Sequence, residues 1–233
     1  MKTIHPLLLM VRIGEAPADR EAAWNSWYDK VHLQNRLSKP GFLGARRYRA
    51  LWGEYRYLTL YELASMDALT SPPYLELRDW EKSLPPETFE WQTLRLPGFA
   101  RGIYERIFPV EGSAQSPDAK ILFTVGHDVP ANREEEFNAW YNTEHLPAMV
   151  GRVPGFLAGR RFRLVETDLG ARSGLRTPGP KYVTLYDLAD DKVLDTDVFK
   201  KETQSPWSAW VRSWYTRRFR ILATRIYPGG TTA

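Results

Sequence analysis

The chain contains no cysteine among its 233 residues. Disulfides, thiolate nucleophiles, cysteine-ligated zinc and iron–sulfur clusters are therefore excluded. A cysteine-free chain is also typical of the cytosol. The apolar run at residues 7–11 is much shorter than the roughly 20 residues that span a bilayer, and it lacks the cleavage site of a signal peptide. We expect a cytoplasmic protein that does not contact a membrane.

The sequence also lacks the short motifs that mark common enzyme classes. No H-E-x-x-H, G-x-S-x-G, P-loop or G-x-G-x-x-G pattern occurs. With only four dispersed histidines, we expect no dedicated metal site and no cofactor. Haem stays an open alternative, because one histidine suffices as an axial ligand.

The charge is balanced, and aromatic residues are abundant. The net charge of +4 comes from basic residues interspersed with acidic ones, so no nucleic-acid partner is expected. A hydrophobic fraction of 43% predicts a packed core. Nine tryptophans and twelve tyrosines are typical of large cores and of pockets for flat ligands.

A repeat organises the chain. The pattern W-Y-x-x-x-H-L occurs at Trp27 and again at Trp140, an offset of 113 positions. Pro-Gly-Phe and Arg-Arg pairs follow in both copies, and Y-x-T-L-Y-[ED]-L begins at Tyr57 and at Tyr182. Similarity kept in order over so long a stretch predicts two copies of one unit, over residues 1–110 and 119–233. The stretch 109–118 is the predicted linker.

Each copy predicts the element order β-α-β-β-α-β, the ferredoxin-like unit. Strands are predicted at 7–13, 42–51, 57–63 and 99–108, and at 121–125, 156–165, 182–188 and 219–227. Asn132 is the predicted N-cap of the second copy's first helix, and Ser71 and Ser205 precede prolines that can begin helices. A Gly/Pro-rich insert covers 168–180. Because each antiparallel sheet has one uncovered face, we expect an α+β fold in which the two sheets close into an intramolecular, pseudo-dimeric barrel. The barrel interior is the expected ligand chamber.

These motifs resemble the dimeric α+β barrel superfamily, particularly its EthD-like branch, over nearly the whole chain. Members usually dimerise through their sheets, so the resemblance implies an internal pseudo-dimer. The superfamily includes polyketide cyclases, muconolactone-type isomerases, cofactor-free monooxygenases and haem-degrading enzymes. The resemblance therefore indicates a fold and leaves the reaction open.

Histidines lead the candidate site residues. On a regular α-helix, Asn25, Asp29 and His32 share one flank, and Asp29 could hold the imidazole in one tautomer. The second copy repeats Asn138 and His145. Histidine is the usual acid or base near neutral pH, so His32 and His145 are the leading catalytic candidates. The alternative is that both only satisfy a local backbone carbonyl.

The remaining candidates are aromatic or cationic. Tyr28 and Tyr141 could donate to a ligand oxygen, or they are core residues. Arg47 and Arg161, each with a second arginine two residues on, would bind a carboxylate or enolate if their strand face lines the chamber, and would be solvated otherwise. His127 is an unrepeated histidine whose counterpart at the same offset is Gly14, and it is either part of an asymmetric site or an ordinary loop residue. Further predicted binding residues are Asn25, Asn138, Trp27 and Trp140.

Three functions follow. The first is a cofactor-independent lyase, isomerase, cyclase or oxygenase acting by histidine acid–base chemistry on a hydrophobic, aromatic or polyketide-like metabolite. The second is a non-catalytic small-molecule-binding or accessory protein of a degradative pathway. The third, RNA binding, is suggested by the β-α-β-β-α-β order but disfavoured, because Arg-Arg-Tyr-Arg departs from the aromatic signature of RNA-recognition domains. The chain is expected to be a monomeric pseudo-dimer or a homodimer.

Overall fold

A computed structural model describes residues 7–16, 18–96, 98–109, 118–165 and 179–228. The predicted linker at 109–118 and the predicted insert at 168–180 lie mostly outside these residues. None of the helices in the described ranges is long and apolar enough to cross a membrane.

The N-terminal half contains four strands joined by short helices. The strands are β1 (Leu7–Ile13), β2 (Phe42–Gly53), β3 (Tyr57–Leu63) and β4 (Phe99–Phe108). The helices are α1 (Glu21–Trp27), α2 (Leu33–Leu37), α3 (Pro72–Ser83) and α4 (Phe89–Thr93), with a π-helical turn at Tyr28–His32 and a 3₁₀ turn at Met66–Leu69.

The C-terminal half has the same order of elements. Its strands are β5 (Ile121–Asp128), β6 (Phe156–Leu164), β7 (Tyr182–Leu188) and β8 (Arg217–Tyr227). Its helices are α5 (Glu134–Trp140), α6 (Leu146–Arg152), α7 (Asp197–Glu202) and α8 (Pro206–Arg212), with a π-helical turn at Tyr141–His145 and 3₁₀ turns at Ala131–Arg133 and Val193–Asp195.

The eight strands form one closed antiparallel barrel in the order β1-β3-β2-β8-β5-β7-β6-β4. The two halves join where β2 pairs with β8, as at Ala50 opposite Ala223, and where β4 pairs with β6, as at Glu105 opposite Arg163. Closure leaves none of the eight described strands with an unpaired edge, which removes a route to aggregation. The predicted closure of two sheets within one chain is therefore confirmed.

Apolar side chains from both halves pack together inside the barrel. One buried cluster combines side chains from both halves, among them Met10, Tyr104, Leu122, Val183 and Ile221. Two further clusters lie on the opposite sheet faces, beneath the helices of each half. The described residues do not test the prediction that the barrel interior is the ligand chamber, and it stays a prediction.

Two local predictions about helix starts have different outcomes. Asn132 is not an N-cap: it lies within a 3₁₀ turn, and α5 begins at Glu134 after Arg133. Ser205 does cap α8, since its hydroxyl accepts from the backbone N–H of Ser208 at 3.0 Å. Ser71 occupies the N-cap position of α3 without a side-chain bond.

Glycine in the Pro-Gly-Phe motif allows a left-handed turn against a neighbouring element. Gly155 has φ +94°, and a Cβ there would lie 2.5 Å from Cγ2 of Val193. We expect Gly155→Ala to lower the free energy of unfolding by about 2 kcal/mol, because left-handed strain adds to overpacking. Gly151→Ala is the control: its site is open within 4 Å and helical, so alanine should stabilise by up to about 1 kcal/mol. Urea unfolding measures both, and equal effects would contradict the expectation.

Candidate functional site

A cavity of about 190 Å³ lies in the C-terminal half, between the outer face of its sheet and the helices that cover it. The sheet contributes Phe123, Val125, His127, Phe156 and Tyr186, and the helical layer contributes Trp140, Tyr141, His145, Met149 and Phe199. The remaining lining residues are polar, namely Thr203, Ser208, Arg212, Tyr215, Arg218 and Arg220. Ser208 is buried, whereas the three arginines are exposed and mark the mouth. The cavity therefore has an aromatic floor and a cationic opening.

The π-helical turn presents the motif residues to this cavity. Tyr141 and His145 are the first and last residues of the turn, and the backbone N–H of Leu146 bonds to the carbonyl of Tyr141, five residues earlier instead of the four of an α-helix. Such turns are frequent at functional sites. The projection on a regular α-helix is consequently wrong from Tyr28 and from Tyr141 onward, where the two π-helical turns begin.

Two histidines from different elements meet at the cavity. His145 stacks on Trp140 with ring centroids 4.5 Å apart, and the His127 ring lies 4.4 Å from that of Tyr215. Burial, followed by the charges of Arg212 and Arg161, lowers the pKa of His145 to about 3. Burial also lowers the pKa of His127 well below its usual value, and Arg218 adds to the effect. Both imidazoles are therefore neutral near pH 7.

Each of these imidazoles keeps an unused nitrogen. Nδ1 of His127 and Nδ1 of His145 are buried without a hydrogen-bond partner among the described residues. A neutral imidazole offers one N–H and one lone pair, so each ring can donate to or accept from a ligand. Negative charge on a bound ligand would raise the pKa of both rings and make them stronger bases.

Arg161 lies behind Tyr141 as a buried cation. Its guanidinium donates to Oδ1 of Asn142 at 2.5 Å and to Oδ1 of Asn138 at 2.8 Å. It also lies 4.2 Å from the centre of the Tyr141 ring. Desolvation lowers the pKa of Arg161 to about 10, so it is charged at neutral pH.

The corresponding arginine of the N-terminal half is paired. Arg47 donates to Oδ1 of Asp29 at 2.8 Å and to Oδ1 of Asn25 at 2.6 Å. Asp29 therefore binds Arg47 and does not orient His32, whose Nδ1 lacks a partner in the part of the chain described. Since Asn142 stands where Asp29 stands, the two halves differ by one negative charge at this position.

The N-terminal half has a buried ion pair at the position where the C-terminal half has a cavity-lining methionine. Arg36, four residues after His32, donates to Glu81 at 2.6 Å, and both side chains are buried. Met149, four residues after His145, lines the cavity instead. His32 is buried against Trp27 and Tyr28, with ring centroids 5.1 and 4.5 Å away, and burial lowers its pKa well below the usual value.

The structure thus divides the predicted site residues into groups. His127, Trp140, Tyr141 and His145 meet at the cavity, and Asn138 and Arg161 lie directly behind it. The N-terminal candidates Asn25, Trp27, Tyr28, Asp29, His32 and Arg47 pack together beneath α1 and α2. The second arginines of the two strand pairs, Arg49 and Arg163, are exposed.

The strand register also corrects the counterpart of His127. His127 pairs with Tyr182 as Ile13 pairs with Tyr57, so the equivalent residue is Ile13 and not Gly14. An apolar side chain therefore stands in the N-terminal half where the C-terminal half has an imidazole.

Sequence reasoning missed the residues at the mouth. Arg212, Tyr215, Arg218 and Arg220 belong to α8, β8 and the connection between them, which the repeated motif does not include. The alternation of Arg218 and Arg220 on β8 was the available signal, because residues two apart in a strand share a face.

Comparisons with known proteins give structural matches only. No family model matches the sequence, and no curated protein matches it either. An anthrone oxidase-like protein superposes with a TM-score of 0.66 at 13% identity, covering 97% of this chain and 93% of that one. A protein provisionally assigned as a monooxygenase from Lactobacillus acidophilus NCFM gives 0.53 at 9% identity, with 95% and 94% covered. A chlorite dismutase variant from Candidatus Nitrospira defluvii gives 0.56 at 12%, with 95% and 91% covered.

The expectation that no cofactor is involved requires correction. Several matching structures are chlorite dismutases, which are haem proteins. The donor chemistry of the cavity suits haem, because two buried neutral imidazoles carry unpaired nitrogens. The size of the cavity does not suit haem, because its volume of about 190 Å³ is below the roughly 300–1,000 Å³ of pockets for drug-sized ligands. The cavity in this conformation does not fit haem, and haem titration is the direct check.

The topology and the superpositions agree. Eight antiparallel strands close into one ring, and each of the three superpositions above covers at least nine-tenths of both chains. This chain has the fold of the dimeric α+β barrel superfamily, completed within a single polypeptide.

Proposed function

We propose that this protein is an enzyme acting on a small, single-ring substrate in the cavity of its C-terminal half. The observation that carries the proposal is the convergence of His127, His145 and Tyr141 on one cavity. Cavities of about 150 Å³ bind benzene, so about 190 Å³ suits one ring with a substituent. This size favours a single-ring compound over a multi-ring polyketide.

The proposed chemistry is proton transfer to and from an enolisable or phenolic group. His145 takes a proton from the substrate and becomes an imidazolium, while the substrate becomes an enolate or phenolate. Arg218 at the mouth and Arg161 behind Tyr141 stabilise the negative charge that develops. The same negative charge raises the pKa of the imidazole, so that transfer becomes favourable only with substrate bound.

A non-catalytic binding protein is the second candidate. This candidate is favoured by the pKa of about 3 for His145. An imidazole with so low a pKa is a weak base, and it accepts a proton from a neutral ligand poorly. Tight binding of a ligand that is recovered unchanged would support this candidate.

Histidine substitutions test the proposed enzyme. A thermal-shift screen of single-ring phenols and ketones first identifies ligands, and each ligand is then assayed for turnover. With the substrate so found, His145→Gln is expected to lower kcat/KM by about 10²–10⁴-fold, the usual contribution of a general acid or base. His32→Gln is the matched control, because His32 occupies the equivalent turn of the N-terminal half without a described cavity beside it. Equal loss in both variants, or no loss in His145→Gln, would contradict the assignment.

We also propose that residues 1–110 and 119–233 are tandem ferredoxin-like repeats, of the EthD-like type suggested by the motifs. The shared element order and the paired motif positions support this proposal. Since the barrel already closes within one chain, we expect a monomer. Sedimentation equilibrium that shows a dimer at micromolar concentration would contradict the monomer.

A further inference from the structure

The side chains that line the cavity of the C-terminal half carry positive charge only. Among the described residues that line the cavity, none is Asp or Glu, while Arg212, Arg218 and Arg220 are present at the mouth and exposed. Arg161 adds a fourth cation behind Tyr141. The C-terminal site therefore has several positive charges and no described carboxylate lining it.

In the N-terminal half, carboxylates neutralise the buried arginines at the equivalent positions. There Asp29 pairs with Arg47, and Glu81 pairs with Arg36. In the C-terminal half Asn142 replaces Asp29, and Met149 replaces Arg36. A buried guanidinium that contacts only neutral groups is costly unless an anion compensates it.

We infer that the ligand of this cavity is an anion, namely a single aromatic ring bearing a carboxylate or a comparable acidic group. The inference rests on the proposed site and adds the chemical class of its ligand. The ring packs among Phe123, Trp140 and Phe156. The negative group lies toward Arg218 and Arg212, where charge-assisted hydrogen bonds form. Asn142 is a positioning residue, because it leaves the charge of Arg161 uncompensated.

The test compares benzoate with benzamide, a neutral molecule of the same shape, by calorimetric titration. Wild-type protein is expected to bind benzoate at least tenfold more tightly than benzamide. Asn142→Asp installs the carboxylate found in the N-terminal half and should weaken benzoate binding about tenfold, while benzamide binding stays within about twofold. Asp29→Asn is the matched control and should change neither probe.

A second variant keeps the test decisive if Asn142→Asp fails to fold. Arg218 is exposed, so Arg218→Gln should leave the fold intact. This variant should weaken benzoate binding about threefold or more and leave the affinity for benzamide unchanged. If both probes bind equally, the anion inference is wrong and the proposed site stands. If neither probe binds the folded protein at millimolar concentration, both the inference and the proposed site are wrong.

Discussion

Lowering the pH from 7 to 5 is expected to reduce the free energy of unfolding by about 2 kcal/mol through His145 alone. The pKa of His145 is about 3 in the folded protein, against about 6.5 in an unfolded chain. Between these values the unfolded state binds the proton and the folded state does not. Stability is therefore retained above pH 6.5 and lost progressively as the pH falls toward 3.

Two further histidines act in the same direction. Burial lowers the pKa of His32 and of His127 well below the usual value, and both residues belong to the apolar layers beneath the helices. Each adds its own loss of stability below pH 6.5. The protein should consequently unfold in mild acid, at a pH where most carboxylates are still ionised.

Urea unfolding from pH 5 to pH 8 measures this dependence, and His145→Gln is the informative variant. Glutamine carries no titrating group, so the difference in stability between wild type and variant should shrink by about 2 kcal/mol from pH 7 to pH 5. A difference between wild type and His145→Gln that is constant with pH would contradict the assigned pKa direction.

The sequence motifs predicted the barrel because they repeat in order, and pattern repeats translate directly into repeated elements. They predicted His145 and Tyr141 at a site for the same reason. They could not predict the π-helical turns, since the one-residue excess depends on tertiary packing rather than on local propensity. The helical projection therefore paired Asp29 with His32, whereas the folded chain pairs Asp29 with Arg47.

The location of the cavity also depended on information outside the motifs. Whether a space stays open beneath a helix is decided by side chains from distant segments, such as Arg36 meeting Glu81 45 positions later. A repeat aligned by its common residues draws attention to what the halves share. The site is defined by what they do not share: His127 against Ile13, and Met149 against Arg36.

The buried pair of Arg36 and Glu81 provides the second large effect. Desolvation has the largest single effect and would lower the pKa of Arg36, but the charge and hydrogen bond of Glu81, together with Tyr61 and Tyr74, raise the pKa overall. Glu81→Leu removes that compensation and leaves a buried guanidinium without its carboxylate. We expect the free energy of unfolding to fall by about 3–5 kcal/mol, measured by urea unfolding at pH 7.

The double variant Arg36→Met with Glu81→Leu separates loss of charge balance from loss of volume. Methionine is the residue at the equivalent position of the C-terminal half, and apolar replacement of a whole buried pair is often neutral or stabilising. We therefore expect the double variant to recover most of the stability lost in Glu81→Leu. Asp79→Leu is the surface control, because the Asp79–Lys82 pair is exposed and should contribute less than about 1 kcal/mol. A double variant as unstable as Glu81→Leu would show that the pair contributes by packing, and the charge argument would then be wrong.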